Sequence, residues 1–323
     1  MTGELISLGV AFSWTAAALA AELGTRHLGV AVINVWRLGL AVLFSALLMW
    51  LTLGGPYPVY AGVETWLWLL ASGFVGYFFG DWCLFNSYLT IGSRMGQLLM
   101  TLAPMFTALA AWIMIGQTLS WSALLAMVVT LSGIAISVLG RDEQHHVAVS
   151  LPLKGILYGI GAAVGQGVGL VLSKIGLDCY TADVAQFSIL NSPIGLQSLA
   201  TGGTQEFSLP FAANMIRCIA GLFFFTLWLL MSGGAGRKMR ESLHDRTGML
   251  AMLCAVLSGP FIGVGFSLMA VQYTAAGIAS TLMALTPIII LLPSRWLFGQ
   301  PITLRNVVGA VISVVGVSLF FLL

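Results

Sequence analysis

The chain is 323 residues long, with 59% hydrophobic and only 7% charged residues and a mean hydropathy of +1.00, where a soluble domain carries about a quarter charged residues. That balance excludes a water-soluble globule, and at about 20 apolar residues per crossing the length holds about ten transmembrane helices. The formal net charge of +2 is too small and too dispersed for a nucleic-acid partner.

Apolar runs, read against their Gly, Pro and charge interruptions, place spans near 5–23, 29–52, 66–88, 95–115 and 121–139, then near 155–175, 210–231, 248–271, 277–298 and 305–322. Uninterrupted runs such as Leu38–Leu51 and Val307–Leu323 indicate helices, not the alternating strands of a barrel. The fold expected is an all-α polytopic membrane protein. The opening Met-Thr-Gly-Glu has no basic n-region, so the first span is expected to be retained even though Ala18-Leu19-Ala20 could pass for a cleavage site. Cys83, Cys218 and Cys254 fall in apolar stretches and Cys179 sits alone, which makes no disulfide framework.

A shift of 183 residues lays 76–139 over 259–322 without a gap. Its landmarks are Gly76-xxx-Gly80 over Gly259-xxx-Gly263, Pro104 over Pro287, Gly116-Gln117 over Gly299-Gln300, and Gly133 over Gly316. Asn34-Val35-Trp36-Arg37 matches Asn214-Met215-Ile216-Arg217 at a shift of 180. Two five-helix repeats are expected, over 1–140 and 152–323, the second with an irregular polar loop inserted at about 178–210. An odd number of crossings turns the second repeat upside down, so the ten helices form two inverted repeats, the architecture of alternating access. Arg26, Arg94, Arg141, Lys154, Arg237, Lys238, Arg240, Arg246, Arg295 and Arg305 flank connections on one face, against Lys174 on the other. By the positive-inside tendency the first face is cytoplasmic, which puts both termini outside.

With these residues in view, the chain resembles the ten-helix EamA-type permeases of the drug/metabolite transporter superfamily. The resemblance rests on Phe12-Ser13-Trp14, on Arg37 and Arg217, and on the fourth-helix pattern of each repeat. That pattern runs from Leu102-Ala103-Pro104 to Gly116-Gln117-Thr118-Leu119-Ser120, and from Leu285-Thr286-Pro287 to Gly299-Gln300-Pro301-Ile302-Thr303. Two departures stand out: such proteins usually have Gly-Glu where this chain has Gly116-Gln117 and Gly299-Gln300, and the 178–210 insertion is longer than usual. The resemblance implies a multi-pass protein of the cell membrane, without cofactor, that moves a small metabolite, often outwards, through a cavity between the halves. It names no substrate, since look-alike members handle amino acids, nucleotide sugars, sugar phosphates and cationic drugs.

Ionisable groups inside a bilayer cost several kcal/mol unless paired, hydrated or snorkelled, so each is a candidate for function. Arg37 and Arg217 lie at matching depths; both could face one cavity and bind a carboxylate or phosphate, or each could snorkel or tie down backbone carbonyls. Asp81 sits mid-span, opposite Val264 of the other repeat; it could exchange a proton, contact a cationic solute, or serve as counter-ion to Arg37. Glu22 reads as an interfacial residue.

Polar wall candidates are Asn34, Asn86, Gln97, Gln166, Asn214 and Gln272, with Gln97 and Gln166 favoured by adjoining glycines. Interhelical hydrogen bonds explain each as well. Trp14 and Trp82 rise above ordinary belt anchoring and suit an aromatic or amphiphilic solute. Pro104 and Pro287 read as kinks, for gating or for packing. The glycines from Gly155 to Gly169 suit close helix crossing and lack the Lys-Ser/Thr of a phosphate loop.

An intramembrane enzyme would need a base or metal ligands, yet His27, His145, His146 and His244 all lie in loops or at span edges. No metal site and no catalytic residue is expected. The reading is a secondary transporter working by alternating access, proton-coupled or exchanging, with the bilayer and a small solute as partners and a homodimer as one option. The rival is a non-transporting scaffold or sensor, in which Asp81, Arg37 and Gln97 would pack dry or face lipid.

Overall fold

The computed structural model describes residues 2–53, 55–58, 60–116, 121–141, 147–149, 151–191, 204–263, 266, 282, 283, 285–299 and 302–322. Helices α1 (Thr2–Leu28) and α2 (Val30–Leu53) open the chain. Next come α3 (Val63–Gly73), a π-helical stretch over Phe74–Gly80, and α4 (Asp81–Met100). Helices α5 (Ala103–Ile115) and α6 (Trp121–Val138) lead to a short antiparallel ribbon, β1 (Leu139–Arg141) against β2 (Val147–Val149). Helices α7 (Leu153–Asn191), α8 (Thr204–Met231), α9 (Ala235–Ser242) and α10 (Arg246–Val256) follow, and a second π-helical stretch covers Leu257–Gly263. The chain closes with α11 (Thr286–Ile289), α12 (Leu291–Phe298) and α13 (Leu304–Leu322).

Among the described residues, five stretches are long and apolar enough to cross a membrane: Thr2–Leu28, Val30–Leu51, Val63–Met100, Leu153–Gln186 and Leu209–Met231. Shorter apolar helices accompany them. The third of these stretches is not one straight rod. Gly92 has φ 82° and ψ 158°, a conformation glycine adopts without a Cβ clash. Residues 88 and 97 would stand about 13 Å apart along a continuous helix, yet Gln97 Nε2 donates to Tyr88 Oη at 2.6 Å. The chain therefore folds back at Gly92, which divides the expected third span from the fourth.

Bulky apolar side chains cover the outside, among them Leu43, Leu47, Val128, Leu157, Phe223 and Leu230, all more than half exposed. Inside, small and polar residues stand among large apolar ones such as Ile33, Leu38, Leu69 and Phe225. On α1 the buried stripe runs Ser7, Ala11, Thr15, Ala18, Glu22, Thr25, at steps of four or three. Its hydroxyls return to the helix's own carbonyls, Ser7 to Gly3 and Thr15 to Ala11 at 2.8 Å each. Bulky apolar side chains turned outward and polar groups kept inside are the arrangement of a membrane bundle.

The duplication recurs in local backbone. The two π-helical stretches begin at Phe74 and Leu257, and left-handed Gly116 and Gly299 end helices with φ 67° and 65°. Pro104 and Pro287 each stand in the first turn of a helix that follows a break, not at a kink inside a continuous one. The missing N–H is harmless there, which corrects the kink reading.

The expected loop at 178–210 is also corrected. Helix α7 runs on to Asn191 and α8 starts at Thr204, because Asp178–Asn191 contains no Gly or Pro to stop a helix and its polar residues suit an exposed helical face. The ribbon at 139–149 and the amphipathic helix α9 were not anticipated. Gln117, Gln272, Gln300 and the 142–146 segment with its two histidines lie outside the described residues.

Candidate functional site

A cavity of about 500 Å³ lies at the centre of the bundle. Residues of α1, α2, α4 and α7 line one part of it; Ala255, Gly259, Pro260, Met283, Thr286 and Val317 from the second half of the chain line another. Of the residues singled out in the sequence, Trp14, Arg37, Asp81, Gln97, Gln166, Pro104 and Pro287 are in this wall.

Asp81 follows directly on the π-helical stretch, where the wider turn sets its side chain beside α2 and α7. Its approach to α7 depends on absent side chains. Gly76-xxx-Gly80 meets Gly165-xxx-Gly169, and a Cβ on Gly165 would fall 2.6 Å from Gly80 Cα. The glycine-rich run of α7 thus brings Gln166 to the acid, and Gln166 Nε2 donates to Asp81 Oδ1 at 3.2 Å. Arg37 Nη2 pairs with Asp81 Oδ2. Arg37 is itself aimed by Asn34, whose Oδ1 accepts from Nε at 3.2 Å and from Nη2 at 3.0 Å while its amide is anchored on the Val30 carbonyl. The side chains of Arg37 and Asp81 are 11% and 4% exposed, so water screens this pair little.

Arg217 stands outside the lining. Its guanidinium lies 4.8 Å from the centre of the Tyr77 ring, and Arg37 approaches the same ring at 5.9 Å. The Tyr77 hydroxyl donates to Asn214 Oδ1. Where Asn34 holds its own arginine, its counterpart Asn214 holds Tyr77 instead, and Arg217 Nε is buried with no hydrogen-bond partner among the described residues. Trp82 and Asn86 also lie outside the lining. The Trp82 ring packs between Tyr158 at 5.4 Å and Trp228 at 5.5 Å, and Asn86 donates back to the Trp82 carbonyl at 2.7 Å. Both sit on the side of α4 turned from the cavity.

Tyr88 also lines the wall, and Thr101 and Thr286 are wall residues that sequence reasoning passed over. Glu22 is the larger omission: it is fully buried, and its carboxylate accepts the Ser93 backbone N–H at 2.6 Å and the Arg26 guanidinium at 2.5 Å. It caps the helix that restarts after Gly92. The signals in the sequence are the Glu22–Arg26 spacing of four and the Gly92-Ser93 restart, but the distance between them in the chain hides their meeting.

On the arginine-rich face the two halves touch. His27 Nδ1 lies 2.9 Å from Asp245 Oδ2, Arg26 covers the Phe298 ring at 4.9 Å, and Trp36 Nε1 donates to Ser242 Oγ at 3.0 Å. Asp245 also caps α10 by accepting the Gly248 N–H at 2.9 Å. That amide, with the His27 ring beside it, holds the Asp245 carboxyl below the usual carboxylate range. Among the described residues no three His, Cys, Asp or Glu side chains are grouped to hold a metal ion.

A bundle of apolar helices with polar groups drawn to a central cavity defines a polytopic membrane protein of transporter type. The model of the EamA-like transporter family matches residues 1–139 and 194–322, and the chain belongs to that family. It is a membrane transporter of the drug/metabolite kind, and membership of a family of transporters supports a non-enzymatic reading. A solved structure titled "Crystal structure of protein" is similar in fold, with TM-score 0.60 and 14% identity over 99% of this chain and 96% of that one. No curated protein matches.

Proposed function

We propose that the chain is a secondary transporter that carries a small metabolite, outwards, across the cell membrane by alternating access, with two inverted five-helix halves over 1–140 and 152–323 rocking about the central cavity. The ten crossings are α1, α2, 63–91, 93–115, α6, α7, α8, the helix from Arg246, the helix ending at Phe298, and α13. The observation that carries the reading is the Arg37–Asp81 pair in the wall of a cavity to which both halves contribute. A purely structural bundle gains nothing from a desolvated ion pair beside an open space, since an apolar pair of the same volume is often as stable. The recurrence of π-helical stretches and left-handed glycines in both halves supports equivalent hinges. The His27–Asp245, Arg26–Phe298 and Trp36–Ser242 contacts act as the closed gate on the arginine-rich face, which the charge bias makes cytoplasmic.

The test is accessibility. In a background lacking Cys83, Cys179, Cys218 and Cys254, a cysteine placed at Thr286 is treated with a membrane-impermeant maleimide from each face of sealed, oriented vesicles. Labelling from both faces is expected, with D245A raising the rate from the arginine-rich face by weakening its gate. Labelling confined to one face in every variant refutes alternating access.

A further inference from the structure

We infer that the solute is a small organic anion with an apolar body, whose carboxylate takes the place of Asp81 on Arg37 while Asp81 carries a proton. This rests on the transport reading above and adds to it the charge and chemical class of the solute.

The first support is a charge count. The wall itself carries the Arg37–Asp81 pair, and Arg217 of α8, outside the lining, stands close enough behind it to act electrostatically on Asp81. The other titratable groups that interact with Asp81 are Tyr77 and Tyr88 along its own segment and Cys218 from α8, a set of phenols and a thiol that are uncharged near neutral pH. Among the described residues the other buried acid, Glu22, holds the Ser93 N–H and Arg26 and is absent from the lining. With the paired wall charges cancelling, the Arg217 guanidinium behind the wall leaves the surroundings of the pair positive. Where water screens little, that charge repels a cationic solute and attracts an anionic one.

The second support is the donor geometry. Arg37 Nε and Nη2 are engaged by Asn34 and Asp81, while Nη1 makes no hydrogen bond among the described residues although the side chain lines the cavity. A carboxylate bridging Nη1 and Nη2 would form the forked, bidentate pair that guanidinium geometry favours, and Asp81 stands where one arm of that pair belongs. The wall next to Arg37 is apolar: the Phe85 ring lies 5.1 Å from the guanidinium, and Trp14, Leu84 and Met100 continue it. An anion with an aromatic or aliphatic body fills this space; a sugar phosphate or nucleotide, polar throughout, does not.

The exchange conserves charge. A proton from water in the open cavity forms an O–H bond on the Asp81 carboxylate, the Arg37–Asp81 attraction drops, and the solute carboxylate accepts hydrogen bonds from Arg37. One negative charge replaces another, so the loaded, protonated carrier and the empty, deprotonated carrier cross the bilayer with the same net charge. Solute and proton then leave together on the far side.

The test uses purified full-length protein and three probes that share one body: 3-phenylpropionate, 3-phenylpropanamide and 3-phenylpropylamine. Binding is read by thermal stabilisation at mildly acidic and mildly alkaline pH. The expected result is stabilisation by 3-phenylpropionate alone, with affinity falling about tenfold per pH unit once Asp81 is ionised. D81N should bind it with the same affinity at both pH values, because the competing carboxylate is gone. R37Q leaves a lone buried acid that endangers folding, so the neutral pair R37Q/D81N serves instead and should lose 3-phenylpropionate binding. Preferential stabilisation by the amine or amide, loss of binding in D81N, or no response to 3-phenylpropionate in either wild type or D81N overturns the inference. These outcomes leave the maleimide labelling from both faces unaffected, so the anion assignment and the transport reading fail separately.

Discussion

Replacing Glu22 by alanine tests whether this acid is a helix cap or merely one half of an ion pair. Its carboxylate takes the Ser93 N–H at 2.6 Å in a site with no solvent exposure. A hydrogen bond to a charged group contributes about 1.5–3 kcal/mol, and a buried donor left unmade costs about 1–3 kcal/mol, so E22A should destabilise by about 2.5–6 kcal/mol in all. Glu22 also binds Arg26, but that side chain is 47% exposed, and a pair so open to water is worth about 0–1 kcal/mol. R26A therefore loses about 1 kcal/mol, to which its contact with the Phe298 ring contributes. E22Q keeps an acceptor for Ser93 without the charge and should fall between the two. Equilibrium unfolding of the three variants in mixed detergent micelles gives the ranking E22A, E22Q, R26A from most to least destabilised. An R26A loss equal to or larger than that of E22A would show that the ion pair, not the cap, is what the buried acid supplies, and the reasoning would fail.

Breaking the Arg37–Asp81 pair from the arginine side leaves an uncompensated buried carboxylate, so R37Q should cost about 3–5 kcal/mol in the same assay while R37Q/D81N recovers most of it; additive losses would show that the two side chains are not coupled. At the α4–α7 crossing, G165A should cost about 1–3 kcal/mol because its Cβ would lie 2.6 Å from the Gly80 Cα and the helix must shift. Gly9, with nothing within 4 Å of a built Cβ, provides the control: G9A should be neutral or mildly stabilising. Asp245 gives a pH dependence. Its folded value is depressed, so its contribution is present above the ordinary carboxylate value of about 3.9 and is lost as pH falls through the lower folded value. D245N should accordingly be less stable than wild type at neutral pH, with the deficit closing in acid; a deficit constant with pH would refute the assignment.

Much of the frame was legible because membrane helices announce themselves by composition and because duplicated glycines and prolines mark equivalent turns. The breaks at Gly92 and before Pro104 and Pro287 are local events written in local residues. What was not legible depends on partners distant in the chain. Arg217 and Arg37 are equivalent in sequence, yet only Arg37 reaches the cavity, since Tyr77 rises between them and claims Asn214. Trp82 and Asn86 lie within five residues of Asp81, but on the other side of the helix, a difference of azimuth that the π-helical stretch ahead of Asp81 makes hard to extrapolate from a period of 3.6. Polar composition alone led to a loop at 178–191 where an uninterrupted helix stands, because polarity reports exposure and not backbone conformation.

The duplication and the chemistry pull in opposite directions, and the site arises where they part. The repeated backbone supplies each half with a π-helical stretch, a broken fourth helix and an Asn-xx-Arg step in its second helix. Were the side chains repeated as faithfully, the cavity would hold two identical corners. Instead the position of Asp81 is taken by Val264 in the second repeat's sequence, and among the described wall residues the one carboxylate, with its ion pair, belongs to the first half. An ion pair spanning both halves would have to be broken whenever they rocked apart, at a cost of the order of the buried-pair figure of about 3–5 kcal/mol. Confined to one half, the pair can travel with it, while the charged contacts described between the halves include hydrogen bonds to single carboxylates, Gln166 to Asp81 and Gly62 and Thr65 to Asp183, the Arg217–Tyr77 and Arg26–Phe298 ring contacts, and the partly exposed His27–Asp245 contact, which water can replace cheaply. In the proposed rocking, asymmetric chemistry on a repeated frame thus keeps the Arg37–Asp81 ion pair together and leaves single hydrogen bonds and ring contacts, not an ion pair in the cavity, to be exchanged.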